Sequence, residues 1–389
     1  MKSATLRRAM AGFSLIELMV SIVIGLLAIL FATRMMTDSE RTKDGALGGS
    51  DSMQNGMMAM FSISADAEQA GFGINDPLVA GCDTIFTDGD VEGSGYVLPT
   101  VRRGATDVTP LAAAVIVNGG DGPDTVSFHA GSSSTGTASV RLVSNYINGL
   151  SQISIDRVPY GLAVGDAFVV APEDGIGRCA LAQVSALDNG DAPTISFAGG
   201  RYNSGELGRN FPGSSTRVFN LGRSLSFHTW SVENNVLRLS ATDIGSDGAS
   251  QAVADNIVSL KAQYGFDTRA GTAFDPEQGM RIGRWSNTMM DADGDGVSGG
   301  AGDYQRIAAV RIAVVARNRA PERAPVGGAC STTTGAVTVF GSAQPSNVAA
   351  VPVQLSLADE GDPTGWQCYR YRTFETIVPL RNAGWRPTA

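Results

Sequence analysis

Residues 13–32 form an apolar run whose one ionisable member is Glu17. Twenty residues rising about 1.5 Å each give roughly 30 Å of helix, enough to cross a bilayer core. Lys2, Arg7 and Arg8 stand before the run, which keeps the N-terminus cytoplasmic and predicts export of the remainder. Residues 37–43 are polar, and Gly45, Gly48 and Gly49 follow. Each glycine weakens helix by about 1 kcal/mol relative to alanine, so a break or bend is expected there. Helical spacing resumes with Met53, Met57, Met60, Phe61 and Ile63 and continues towards Ala67 and Ala70. That Met-rich stripe is expected to be core, packed against a sheet. The helix should stop at Gly71-Phe72-Gly73, with Pro77 beyond.

From there the pattern is strand and turn. Residues 113–117 and 125–129 read as short strands, and 153–158, 167–170 and 180–184 as further ones. Segments 225–232 and 236–239 flank Glu233-Asn234-Asn235, a hairpin signal. Residues 257–265 alternate loosely and read as a strand; 307–315 is a buried strand or a short helix; 373–380 is a final strand. Residues 131–139 form a low-complexity surface loop.

Composition narrows the class. The chain has 389 residues, 43% hydrophobic and 17% charged, with 48 glycines and 16 prolines. This is neither a disordered chain nor a coiled coil, and it suits a turn-rich β protein. A formal charge of −9 argues against nucleic acid as a direct partner. His129 and His228 are the two histidines, too few for most His-based metal or triad chemistry. Each lies in a strand-like stretch, where a structural role outweighs that of a general base. Phosphate-loop, nucleophile-elbow and zinc-protease motifs are missing, so no enzyme is expected. Trp366 and Trp385 read as core or interface anchors.

The end of the apolar run, Leu30-Phe31-Ala32-Thr33, is a poor site for ordinary signal cleavage. Before the run the sequence reads Ala11-Gly12-Phe13-Ser14-Leu15-Ile16-Glu17, which closely resembles the class III signal of type IV prepilins. The resemblance implies cleavage after Gly12 by a prepilin peptidase and methylation of Phe13 as the new N-terminus. It also implies that Glu17 pairs with an N-terminal ammonium of a neighbouring subunit; an unpaired carboxylate in a membrane helix costs a few kcal/mol. Loss of residues 1–12 removes three basic residues and takes the formal charge from −9 to −12.

Further phrases resemble the PilW family of large minor pilins. They are Asp66-Ala67-Glu68-Gln69-Ala70-Gly71-Phe72 with Gly81-Cys82, then Arg306-Ile307-Ala308-Ala309-Val310-Arg311-Ile312, and the stretch from Tyr371 to Asn382. The fold implied is α+β and type IV pilin-like: a long N-terminal helix, transmembrane in one half and amphipathic in the other, packed on an antiparallel sheet with a large β-rich insertion. The expected organisation is a leader at 1–12, a pilin helix at 13–72 (13–33 transmembrane) and a periplasmic β-rich domain at 73–389. Residues 90–220 resemble no known family.

Cys82, Cys179, Cys330 and Cys368 are an even set in an exported segment, which favours disulfides. Three connectivities are possible; 82–179 and 330–368 are preferred because each keeps its pair within one part of the chain. Asp291, Asp293 and Asp295, with Gly296, suit a hard oxygen-seeking ion such as calcium. The acid an EF-hand needs at position 12 is replaced by Gly302, and Asp303, one residue later, completes the candidate ligand set. No cofactor is required; calcium is the one ion the sequence suggests.

The resemblance implies a minor pilin of the type IV pilus, acting in initiation of assembly and so in twitching motility, adhesion or DNA uptake. Its implied partners are other minor and major pilins, prepilin peptidase, an inner-membrane assembly platform and a tip adhesin. Its implied place is the inner membrane, single-pass, and then the pilus. The alternatives are a type II secretion minor pseudopilin and a membrane-anchored calcium-dependent adhesin.

Overall fold

The computed structural model describes residues 14–89, 95–133, 139–243, 250–322, 324, 327–358 and 365–384. The leader with Gly12, together with Phe13, Trp385 and residues 134–138 of the low-complexity loop, lies outside them. The layout is α+β and pilin-like: an N-terminal apolar helix followed by a strand-rich part with several sheets. The chain divides into two units, residues 1–51 and 52–389.

Helix α1 spans Leu15–Gln69. Within the first unit its segment Leu15–Thr37 has a mean hydropathy of 2.7, long and apolar enough to cross a membrane. Hydroxyls there fold back on the helix: Ser21 donates to the Glu17 carbonyl at 2.7 Å and Thr33 to that of Ile29 at 3.0 Å. Each such bond satisfies a hydroxyl within the helix, as an apolar segment of this length would need in lipid. The expected break at Gly45, Gly48 and Gly49 is not found; helical hydrogen bonding runs through all three. Extending an existing helix costs less than nucleating a second one, so three weak positions are tolerated.

In the second unit the buried positions of α1 are Ser52, Gly56, Ala59, Ile63 and Ala67, with Ala70 just past its end continuing the steps of three and four that trace one face. This corrects the expected Met stripe. Met53, Met57 and Phe61 are exposed, and of the predicted set only Met60, partly, and Ile63, Ala67 and Ala70 face the core. Small side chains explain the choice, because they let the helix backbone approach the sheet. At Gly56 the Phe374 ring occupies the space a Cβ would need. The helix ends as expected: Gly71 adopts φ +86°, and its amide donates to the His129 carbonyl at 2.8 Å.

Two antiparallel sheets receive that face. One has four strands in the order Arg284–Ser286, Ile257–Phe266, Ile307–Arg317, Tyr371–Pro379. The other has five, in the order Gln251–Asp255, Val236–Ala241, Ser226–Glu233, Thr125–Ala130, Ala114–Val117. Ala59, Ile63, Ala67 and Ala70 join Phe128, Trp230, Leu260, Tyr264, Val310, Ile312 and Val314 in one core. The hairpin turns at Asn234 and Asn235, with φ of 52° and 61°, the left-handed pair that a two-residue turn demands. Ile307–Arg317 is a strand, which settles the strand-or-helix ambiguity. Its alternate side Ala313 and Val315 packs under Val339, Phe340 and Leu355, so both faces are covered and the polar–apolar alternation is lost.

The stretch from 90 to 220, which resembles no known family, holds a further β structure. A six-stranded sheet includes Ser139–Arg141, Thr216–Gly222, Ala167–Pro172 and Cys179–Gln183, and a three-stranded sheet includes Gln152–Ser154, Thr194–Ser196 and Ala186–Asp188. The Leu142–Ile155 bridge joins them on one side. On the other the chain passes directly from Gln183 to Ala186. Together they enclose an aromatic core of Tyr146, Phe168, Phe197 and Phe211. Cys82 bonds to Cys179 and ties this insertion to the segment after α1, while Cys330 bonds to Cys368. These are the pairs preferred from sequence separation.

Candidate functional site

Three phrases far apart in the chain meet at the C-terminal end of α1. Asn382 Nδ2 donates to the carbonyls of Glu68 and Gln69 at 3.3 and 3.1 Å, satisfying acceptors that a helix end leaves open. Arg311, fully buried, donates to Glu375 at 2.8 Å and to the Ser342 carbonyl at 3.0 Å, with the Phe340 ring beneath its guanidinium. The 306–312 and 371–382 segments are thereby fixed to each other and to the helix. Along the helix, the exposed residues Met53, Met57 and Phe61 recur every four positions as an apolar stripe, with Met53 at its edge against the sheet, where Arg372 donates to its sulfur at 3.4 Å.

The acidic loop lies between Arg284–Ser286 and the short helix α2, Ala301–Tyr304. Oxygens of Asp291, Asp293 and Asp303 come within 4.8 Å of one another, a spacing that one hard cation can bridge. Asp295 is not in that group; its Oδ1 accepts from Val297 N at 2.7 Å. Asp303 enters because it occupies the first turn of α2. Its Oδ1 accepts from Ala292 N and Asp293 N, and its Oδ2 from Gly299 N and Gly300 N at 2.8 and 3.0 Å. Burial, with the nearby Asp293 charge as a lesser cause, raises the Asp303 pKa. At Gly302 the Asp293 carboxylate fills the place a Cβ would take, so any side chain there would have to displace it.

Neither histidine sits as a catalytic base would. His129 is buried, with Nδ1 2.7 Å from the Ala112 carbonyl and Nε2 3.2 Å from the Tyr96 hydroxyl. Burial pushes its pKa down to about 4. His228 lies between Asp66 and Asp243, partners that sequence reading missed. The available signal was Asp66 itself, an acid beside the buried helix positions Ile63 and Ala67, which requires a partner. Trp366 is half-buried in the turn that carries Cys368.

Residues 7–33 match the model of the prokaryotic N-terminal methylation motif, and residues 229–382 match that of type IV pilus-assembly protein W, PilW. These matches support a PilW-type minor pilin. The second match starts inside the Ser226–Glu233 strand and takes in the whole four-stranded sheet, Arg311 and Asn382. Residues 34–228, including the β-rich insertion, lie outside both. No curated protein and no solved structure matches the chain. Pilin-family segments point to a structural, non-enzymatic pilin, and the signal and apolar helix fit a membrane anchor and a place in the pilus. Pilins generally associate with other pilus components and are processed by prepilin peptidase.

Proposed function

We propose that this chain is a minor pilin that helps to initiate assembly of a type IV pilus, and so serves twitching motility, adhesion or DNA uptake. The observation that carries the reading is the coexistence of a methylation motif at 7–33 with a PilW segment at 229–382 on one chain. The helix waits in the inner membrane, with the β-rich part in the periplasm. Gly12 is cleaved from Phe13, and Glu17 pairs with the ammonium of a neighbour. Other minor and major pilins, the assembly platform and a tip adhesin are its partners. A type II secretion pseudopilin shares the signal. Deletion of the gene separates the two: loss of pili with secretion intact supports the pilus reading, and the converse result sinks it.

Processing has its own test. Gly12→Val is expected to leave full-length precursor in the membrane, because the residue before the cut must fit a tight peptidase site. Mass spectrometry of the mature wild-type chain should find an N-terminus at methylated Phe13; any other start contradicts the class III reading.

The spacing of Asp291, Asp293 and Asp303 supports a second element, calcium binding at this loop. An ion that binds only the folded loop adds about 2.7 kcal/mol of stability at a hundred times its dissociation constant. Millimolar calcium should therefore raise the melting temperature of the full chain in detergent, and Asp293→Asn should remove the increment. An unchanged melting temperature in the wild type would leave a loop held by Asp303 alone.

A further inference from the structure

Asp66 of α1 and Asp243, just after Val236–Ala241, approach His228 from opposite sides. Nδ1 of His228 is 2.8 Å from Asp66 Oδ2, and Nε2 is 2.7 Å from Asp243 Oδ1. An ionised carboxylate only accepts, and a neutral imidazole carries a single N–H. Both contacts are attractive only when both ring nitrogens bear protons. Neither acid can swing away at no cost: Trp230 Nε1 donates to Asp66 Oδ2 at 2.7 Å, and Ser226 Oγ donates to Asp243 Oδ2 at 3.0 Å. The His228 side chain is 12% exposed, so little water screens the arrangement.

We propose that His228 is a proton-dependent latch that fastens the C-terminal end of α1 to the five-stranded sheet, and that loss of its proton loosens that end. With the proton gone, one ring nitrogen presents a lone pair to a carboxylate at hydrogen-bond distance, and the helix end carries the resulting repulsion. The titratable groups facing His228 among the described residues are Asp66 from α1, Asp243, and His129 from Thr125–Ala130. A cavity of about 20 Å³, lined by Asp66, Gln69, His129, Ser226 and His228 among others, adjoins the ring and is large enough for one water.

The direction follows from the charges. Burial alone would lower the His228 pKa, but the hydrogen bonds and charges of Asp243 and Asp66 outweigh it and raise the pKa to about 9. A raised histidine pKa contributes stability fully below the unfolded value near 6.5 and loses it as pH climbs through the folded value. The latch is closed at neutral pH and opens in base.

The test is hydrogen exchange of residues 60–70 in the full chain in detergent, corrected for intrinsic rates, from pH 7 to 10. Protection in the wild type should fall about tenfold for each pH unit between about 7 and 9 and level off above that. His228→Gln should start with lower protection and show no such step, and Asp243→Asn should move the step to lower pH. His129→Gln should leave the step in place. Flat wild-type protection over this range overturns the proposal even if His228→Gln fails to fold, and so does a step that survives in His228→Gln.

Discussion

Replacing Phe61 by glutamate is expected to leave the fold intact and to remove the chain from filaments. Phe61 is 77% exposed, and substitutions at such surface positions usually change stability by no more than about 0.5 kcal/mol. The same change placed in an apolar contact between helices would bury an unpaired carboxylate, at a cost of several kcal/mol. Met53 and Met57 lie on the same stripe, so Met57→Glu should behave alike. Ala59 is the control: it is fully buried against the sheets, and Ala59→Glu should lower the melting temperature sharply. Complementation of a deletion strain, scored by surface pili beside thermal denaturation of the purified chain, decides the matter. Normal piliation with Phe61→Glu would show that the stripe is not an assembly surface, without touching the processing result at Gly12.

Lys261→Met should produce the larger loss of stability. Lys261 Nζ lies 2.8 Å from Asp124 Oδ1, with the two side chains 4% and 3% exposed. Lys261 also donates to the Gly120 carbonyl at 2.8 Å, and Asp124 accepts from the amides of Gly119 and Ala262 at 2.9 and 3.0 Å. Removing the ammonium strands a buried carboxylate, which costs about 3–5 kcal/mol. In a chain of this size that corresponds to a fall in melting temperature of about 5 °C. The pair Lys261→Met with Asp124→Asn should recover part of the loss, since asparagine keeps an acceptor for the two amides and carries no charge. A single-variant loss below about 1 kcal/mol in urea titrations would mean that the pair is solvated in solution.

Both results turn on a distinction the chain makes between local and distant information. Where a property depends on neighbours in sequence, the residues announce it. Residues 13–32 are apolar over a membrane's width, Asn234-Asn235 is a left-handed turn between apolar strands, and Gly71 closes a helix. The methylation motif at 7–33 is local in the same sense, because it is a short linear stretch. The strand at 307–317 was ambiguous for a physical reason: its two faces are covered by different partners, so no periodicity marks it.

Which helix face would be buried was not local information. Spacing alone permitted the Met53–Met57–Phe61 stripe, and the fold chose the row of small residues from Ser52 to Ala70, because backbone proximity to Phe374 and the sheets outweighed side-chain hydrophobicity. Asp303 was legible as a candidate from the sequence, but how close it comes to Asp291 and Asp293 was fixed only by the turn of α2. Asp66 reaches His228 across 162 positions, and Lys261 reaches Asp124 across 137. By itself the sequence determined the apolar segment, the match to the methylation motif, the strand-rich character and the set of cysteines. Tertiary structure decided which apolar residues stay exposed and which charges meet, because both depend on distances that only the packed sheets and helix define.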